Sequence, residues 1–289
     1  IKALADEVDI IIENFRPGKL EEWGIGYEDL KAINPRLIMI RISGYGQDGP
    51  YSQKPGFGSI GEGIGGLRYI TGYPDQPPVR VGVSIGDSIA ALYAVNSALM
   101  AIYYRDIAGS GEGQYIDIAL YEAIFSLTES MLPEFDHQGI IRGRTGSSLP
   151  GIVPSNTYPC RNNTHIIIGG NGDSIFKRLM LAIGETEIAE SPLYATNDGR
   201  AQHTEFIDET IANWTRQQTL EEALNRLDEF DVPCGPIYSI EEITHDPHYK
   251  EREMIATVEV EGLGPLKMPG IIPKFSKTPG EIKWPGPKL

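Results

Sequence analysis

The stretch Val79–Arg105, VRVGVSIGDSIAALYAVNSALMAIYYR, decides how the chain is read. A short β-rich run, Val79 to Ile85, ends at Gly86-Asp87, and a long apolar segment follows at once. Ile89, Leu92, Val95, Leu99, Met100 and Ile102, with Tyr93 and Tyr103 among them, leave almost no polar face. That pattern predicts a helix buried on most sides. Asp87 stands at the junction, where a helix presents N–H groups without intrahelical acceptors. Two readings are open there. Aspartate is among the best helix caps; a carboxylate at the end of an extended run is also a candidate for chemistry.

Outward from that stretch, the composition sets bounds. The chain has 289 residues, 40% hydrophobic and 22% charged, enough for one large or two medium domains. A net charge of -15 argues against non-specific nucleic-acid binding, which needs a basic footprint, but leaves room for a small anion in a local pocket. Cys160 and Cys234 form no ligand or redox spacing and read as reduced thiols of a cytoplasmic protein. No uninterrupted apolar run reaches the about 18–20 residues of a membrane span, and no signal peptide is read at the start. The chain opens mid-helix at IKALADEV and closes in a loop at WPGPKL, so a cut from a longer protein is expected.

Before the central stretch, Asp9–Phe15 reads as a parallel strand because Ile10, Ile11 and Ile12 run without a polar break. Short helices follow around Leu20, Trp23 and Leu30, then a second strand at Leu37–Ile42, making a βαβ unit. Gly44–Gly66 is glycine-dense and reads as loop. Gly56, Gly58 and Gly61 match G-x-G-x-x-G, but no strand leads into them, so the dinucleotide reading is rejected. After it, Tyr115–Ile118 reads as a strand and Leu120–Phe135 as one helix.

The domains are expected at 1–135 (large, α/β, incomplete at its start) and 154–254 (small, α+β), with a linker at 136–153 and a segment at 255–289 returning to the large domain. In the small domain a strand at His165–Ile168 precedes helices at Ser174–Ile183, Arg200–Arg216 and Leu220–Phe230. Capping boxes stand at Thr219/Glu222 and Ser239/Glu242, and strand character returns at Thr257–Val260. The five histidines show no metal-ligand spacing, and neither a G-x-S-x-G elbow nor a P-loop is present. Gly169–Ser174 suits an anion at a helix start and equally suits a plain strand-to-helix loop. Composition and spacing alone name no reaction.

Five stretches, in order, carry a resemblance. They are IIIENFRPG at 10–18, RISGYGQDGP at 41–50, VRVGVSIGDS at 79–88 with GSGEGQYIDIALYEA at 109–123, CGPIYSIEEITHDPHY at 234–249, and PKFSKTPGEI at 273–282. Together they resemble the family III CoA-transferases, relatives of α-methylacyl-CoA racemase. The resemblance implies a Rossmann-like large domain, a small domain and an interlocked homodimer, with no nucleic acid or membrane as partner. It implies acyl-CoA and a free carboxylic acid as substrates, with no permanently bound cofactor and no metal. It places the catalytic aspartate at Asp87 and CoA-lining residues at Asn14, Phe15, Arg16, Gly56, Phe57 and Gly58. A position where the family commonly carries arginine is Glu22 here, so that phosphate contact is unmatched. The glycine loop of the formyl-CoA enzymes has no counterpart, which disfavours a formyl substrate. The racemase alternative is disfavoured because Phe57 stands where racemases carry histidine, and racemisation needs a second proton-transfer group. The implied chemistry makes Asp87 a nucleophile passing through a mixed anhydride and an aspartyl-CoA thioester, with Gly56–Gly66 and Gly169–Ser174 covering the site.

Overall fold

A computed structural model describes residues 1–286; Pro287–Leu289, the end of the expected closing loop, lie outside the described residues. The chain is a mixed α/β protein that divides into two units, Ile1–Pro150 and Gly151–Leu289.

The first unit begins with α1 (Lys2–Ala5) and β1 (Ile10–Glu13), then α2 (Lys19–Glu22), α3 (Tyr27–Lys31) and β2 (Ile38–Ser43). The unbroken isoleucines of β1 pair in parallel with β2, Ile10 opposite Ile38 and Glu13 opposite Arg41. The later strand β3 (Tyr115–Ala119) joins the other side of β2, also in parallel, from Met39 opposite Tyr115 to Ser43 opposite Ala119. The three parallel strands therefore point their carboxyl ends the same way, β2 and β3 ending opposite each other at Ser43 and Ala119 and β1 two residues earlier, at Glu13 opposite Arg41.

Between β2 and β3 lie α4 (Gly58–Ile64), α5 (Leu67–Ile70) and α6 (Ile85–Ile102). The glycine-dense stretch is thus not all loop. Glycine costs a helix roughly 1 kcal/mol per residue, which hides α4 from a propensity reading. What offsets that cost is close packing. A Cβ on Gly61 would fall 3.1 Å from Leu120, and one on Gly65 would fall 2.7 Å from Ile124. Val79–Ser84 is irregular rather than β: it joins no strand of the sheet, and Pro77-Pro78, which precede it, lack the N–H groups a strand would donate.

Helix α6 packs a stripe of small residues, Ala90, Ala94, Ala98 and Ala101, onto Ile38, Ile40 and Ile118 of the sheet. Its other face is open in the single chain: Leu92, Val95, Leu99 and Met100 are 60–70% exposed. The expected burial on most sides is therefore not met within one chain. A π-helical turn, Tyr103–Ile107, extends α6 into a 23-residue apolar helix. By length and composition alone it reaches the size of a membrane span, although no uninterrupted run was expected to. One face of it, the alanine stripe, packs on the sheet. The turn buries Arg105, which donates to Asp9, Asp106 and the Arg36 carbonyl.

The helix expected over Leu120–Phe135 is two, α7 (Leu120–Phe125) and α8 (Met131–Gln138). They part where the Ser126 and Thr128 hydroxyls donate to the carbonyls of Ala123 and Phe125, competing with helix hydrogen bonds.

The second unit holds an antiparallel sheet of β4 (Ser155–Pro159), β5 (His165–Gly169) and β6 (Cys234–Pro236), with β5 central. Helices α9 (Asp173–Ala182), α10 (Thr186–Glu190), α11 (Asn197–Ala201), α12 (Thr204–Thr215) and α13 (Leu220–Asp228) lie between β5 and β6 in sequence. Phe176, Leu179, Met180, Ile207, Ile211 and Leu227 meet Ile166 and Ile168 in its core. Thr219 and Glu222 close a capping box at α13, and Ser239 and Glu242 close another at α14 (Ile240–His245). After α15 (Pro247–Glu251), β7 (Ile255–Val260) pairs with β8 (Gly264–Pro269). Arg200, fully buried, donates to the Asn171 carbonyl and to Asp173, pinning the loop between β5 and α9.

Candidate active site

The carboxyl ends of β1, β2 and β3 open into one cleft of about 280 Å³. This is where parallel α/β sheets hold ligands, because the loops leaving the strand ends diverge there. Asn14, Phe15, Arg16 and Pro17 leave β1, Ser43 and Gly44 end β2, and Leu120 begins α7 directly after β3. Lys54, Pro55, Gly56 and Phe57 enter from the approach to α4, and Asp87 enters from α6. Six of the seven residues singled out from the sequence thus line the cleft. Gly58 does not line it; it stands behind Asp87.

Asp87 is the third residue of α6, which starts at Ile85, so it belongs to the first turn and is not the cap. Its carboxylate is exposed to the cleft and accepts no hydrogen bond among the described residues. A Cβ on Gly58 would lie 2.3 Å from Asp87 Oδ2, so glycine lets the backbone of α4 come this close without displacing the carboxylate. Gly86 takes part in the same approach: a Cβ there would meet the Gly58 carbonyl oxygen at 3.0 Å. Across the cleft, Gly44 and Gly56 touch so closely that a Cβ on either would fall within 2.9 Å of the other's Cα. The G-x-G-x-x-G glycines therefore serve close helix packing around a carboxylate.

The β1 end is fixed from beneath. Glu13 is buried and its two oxygens accept from the Phe15 N–H at 2.8 Å and from Arg41 Nε at 2.8 Å. Arg41 reaches on to Glu21 with two further bonds, at 2.8 and 3.1 Å. Burial works to raise the Glu21 carboxyl, and the Arg41 guanidinium outweighs it, holding the group below the usual carboxylate range. Phe15, so positioned, stands edge-on to Trp23 at 5.2 Å.

The cleft holds one carboxylate and two cations. Arg16 and Lys54 are exposed and have no carboxylate partner among the described residues; Lys54 Nζ rests 3.6 Å over the Tyr51 ring. Phe57, 75% exposed, adds an apolar wall and no ionisable group. Lys54 was missed from the sequence, although it is the only basic residue of 44–66. No histidine or cysteine lines the cleft, and no metal-ligand cluster of three or more is found among the described residues. A larger cavity of about 520 Å³ in the second unit includes Glu253 and Lys274, which pair with each other at 3.3 Å.

The family model described as CoA-transferase family III matches residues 1–289. The chain is 49% identical to succinyl-CoA–D-citramalate CoA-transferase of Chloroflexus aurantiacus over all of its length, covering 71% of that protein. It is 37% identical over 99% of its length to the succinyl-CoA–L-malate CoA-transferase alpha subunit of the same species, covering 67% of it. Among solved structures, a CaiB/BaiF family protein from Brucella suis superposes with a TM-score of 0.82 at 31% identity, over 100% of this chain and 74% of that one.

Proposed function

The chain belongs to CoA-transferase family III and is an enzyme of that class, and we propose that it moves CoA from succinyl-CoA to a free dicarboxylic acid by way of Asp87. One observation carries the choice of residue: Asp87 is the lone carboxylate of a cleft that also offers two unpaired cations. The choice of acids rests on the two relatives above, both named for succinyl-CoA and a dicarboxylate.

A carboxylate at neutral pH is a nucleophile without a helper base. An Asp87 oxygen attacks the thioester carbonyl, the C–S bond breaks, and CoA leaves as thiolate. The thiolate then attacks the aspartyl carbonyl of the mixed anhydride, releasing the donor acid and leaving an aspartyl-CoA thioester. The acceptor carboxylate attacks that thioester and expels the thiolate. The thiolate finally attacks the acceptor's acyl carbon, giving the new acyl-CoA and restoring Asp87. No proton is gained or lost.

Each addition creates an oxyanion, and donors aimed at it lower the barrier. The first turn of α6 supplies N–H groups without intrahelical acceptors beside Asp87. The helix dipole favours an anion there by about 0.3–1 kcal/mol. Arg16 and Lys54 suit the CoA phosphates, and Phe15 and Phe57 suit its apolar arm. Asn14 lies beside them, and Gly56 and Gly58 let the backbone approach. Racemisation is the poorer reading, because Phe57 offers no second proton-transfer group.

The first unit is proposed as part of a Rossmann-like domain in a cytoplasmic, interlocked homodimer. The open face of α6 is the kind of surface a second copy covers. Leu99→Asp would then convert a dimer to a smaller species in sedimentation, and an unchanged profile would count against that surface. The catalytic reading is tested by Asp87→Asn in the full-length protein. Transfer should fall by ~10³-fold or more with the melting temperature retained. Retention of a tenth of the activity would refute it.

A further inference from the structure

Behind Asp87 lies a second charged group that the transfer steps do not use. Glu62, on α4, is 1% exposed. Its Oε2 atom faces two arginines at once, Arg68 at 3.4 Å and Arg80 at 3.5 Å. Its Oε1 atom has no partner, and the buried Nε of Arg68 has none either. Buried polar atoms left unpaired are rare and call for a physical reason. Here one carboxylate is shared by two permanently charged guanidiniums, so the group carries one net positive charge. It does so in a chain of net charge -15.

Two elements tie this group to Asp87. Glu62 is four residues beyond Gly58 on α4, one turn or about 6 Å along the axis, and Gly58 abuts the Asp87 carboxylate. Arg80 lies on the irregular segment that runs straight into α6 and Asp87. The group is thus joined to Asp87 through α4 and through the segment that enters α6. The flanks are open: a Cβ on Gly63 or on Gly82 would meet nothing within 4 Å. The guanidiniums are reachable, with side-chain exposures of 34% for Arg68 and 46% for Arg80.

We propose that Arg68 and Arg80, oriented by Glu62, receive the distal carboxylate of a short dicarboxylic acid while its other carboxyl group reacts at Asp87. The proposal rests on the CoA-transfer reading above. Donor and acceptor acids occupy the acyl position in turn, so one cationic group serves both. Glu62 neutralises one of the two guanidiniums and holds the pair together when the acid leaves. A monocarboxylic acid of equal length leaves the second guanidinium without a ligand, which disfavours it.

The test compares glutarate with pentanoate as acceptors at fixed succinyl-CoA, in the full-length protein and its Arg80→Gln and Arg80→Lys variants. Any effect on the donor half-reaction cancels in the ratio of the two kcat/KM values. The wild type should prefer glutarate by about tenfold or more. Arg80→Gln should cut that preference by about tenfold through a larger fall in kcat/KM for glutarate than for pentanoate, and Arg80→Lys should recover part of it. Arg68 remains paired with Glu62 in both variants, so the fold is retained; Arg68→Gln, the second site, should act in the same direction. Equal losses on both acids, or an unchanged ratio, would overturn the proposal and leave the CoA-transfer reading standing. A wild type that transfers CoA to no acid would overturn both.

Discussion

The α-carbon of Gly58 lies against the carboxylate of Asp87, so close that a methyl group there would sit 2.3 Å from Oδ2. The atom that must yield is the exposed end of a side chain, not backbone. Gly58→Ala should therefore leave the fold intact and swing the carboxylate from its position. The expected result is a loss of transfer on the order of 10²-fold with a melting temperature within a few degrees of wild type, read by steady-state assay and calorimetry. Full activity in this variant would show that the approach has no catalytic consequence.

Arg41 bridges buried Glu13 and Glu21, and Glu13 in turn holds the Phe15 N–H. Arg41→Met strips a buried carboxylate of its charged partner. The expected cost is about 3 kcal/mol in denaturant unfolding. Because the Asn14–Arg16 corner loses its anchor, KM for the acyl-CoA should rise more than kcat falls. Equal loss in both would assign the network to folding alone.

Asp106 gives a pH signature. Hydrogen bonds from Arg105 come first among the causes that hold its carboxyl at about 2, below the ordinary 3.8, with Arg36 adding to them. A carboxyl whose folded pKa is depressed contributes stability above its unfolded pKa and loses it as pH falls through the folded one. The melting temperature should therefore drop between about pH 4 and pH 2, and Asp106→Asn should flatten that part of the curve. An identical slope in the variant would contradict the assignment.

Local signals made much of the framework legible. The isoleucine run of β1, the βαβ spacing and both capping boxes were readable because each is set by residues near in sequence. The glycine helix α4 was not, because its reason lies in contacts with Asp87, Leu120 and Ile124, far along the chain. The run Val79–Ile85 has strand composition but no partner strand. Helix α6 shows the limit of reading burial from hydrophobicity: Leu99 and Met100 have core composition, yet both stand open in their own unit. Asp87 stood out by its place at a junction, whereas Lys54 enters the cleft only through the turn that brings Gly56 against Gly44.

The most direct measurement is chemical trapping of the covalent intermediate. The full-length protein is mixed with succinyl-CoA, quenched with borohydride, digested and read by mass spectrometry. Borohydride reduces an acylated or thioesterified aspartyl group to the alcohol and leaves a free carboxylate untouched. The expected result is conversion of Asp87 to the alcohol only when succinyl-CoA is present. An unmodified Asp87 during turnover, or reduction at another carboxylate, would contradict it.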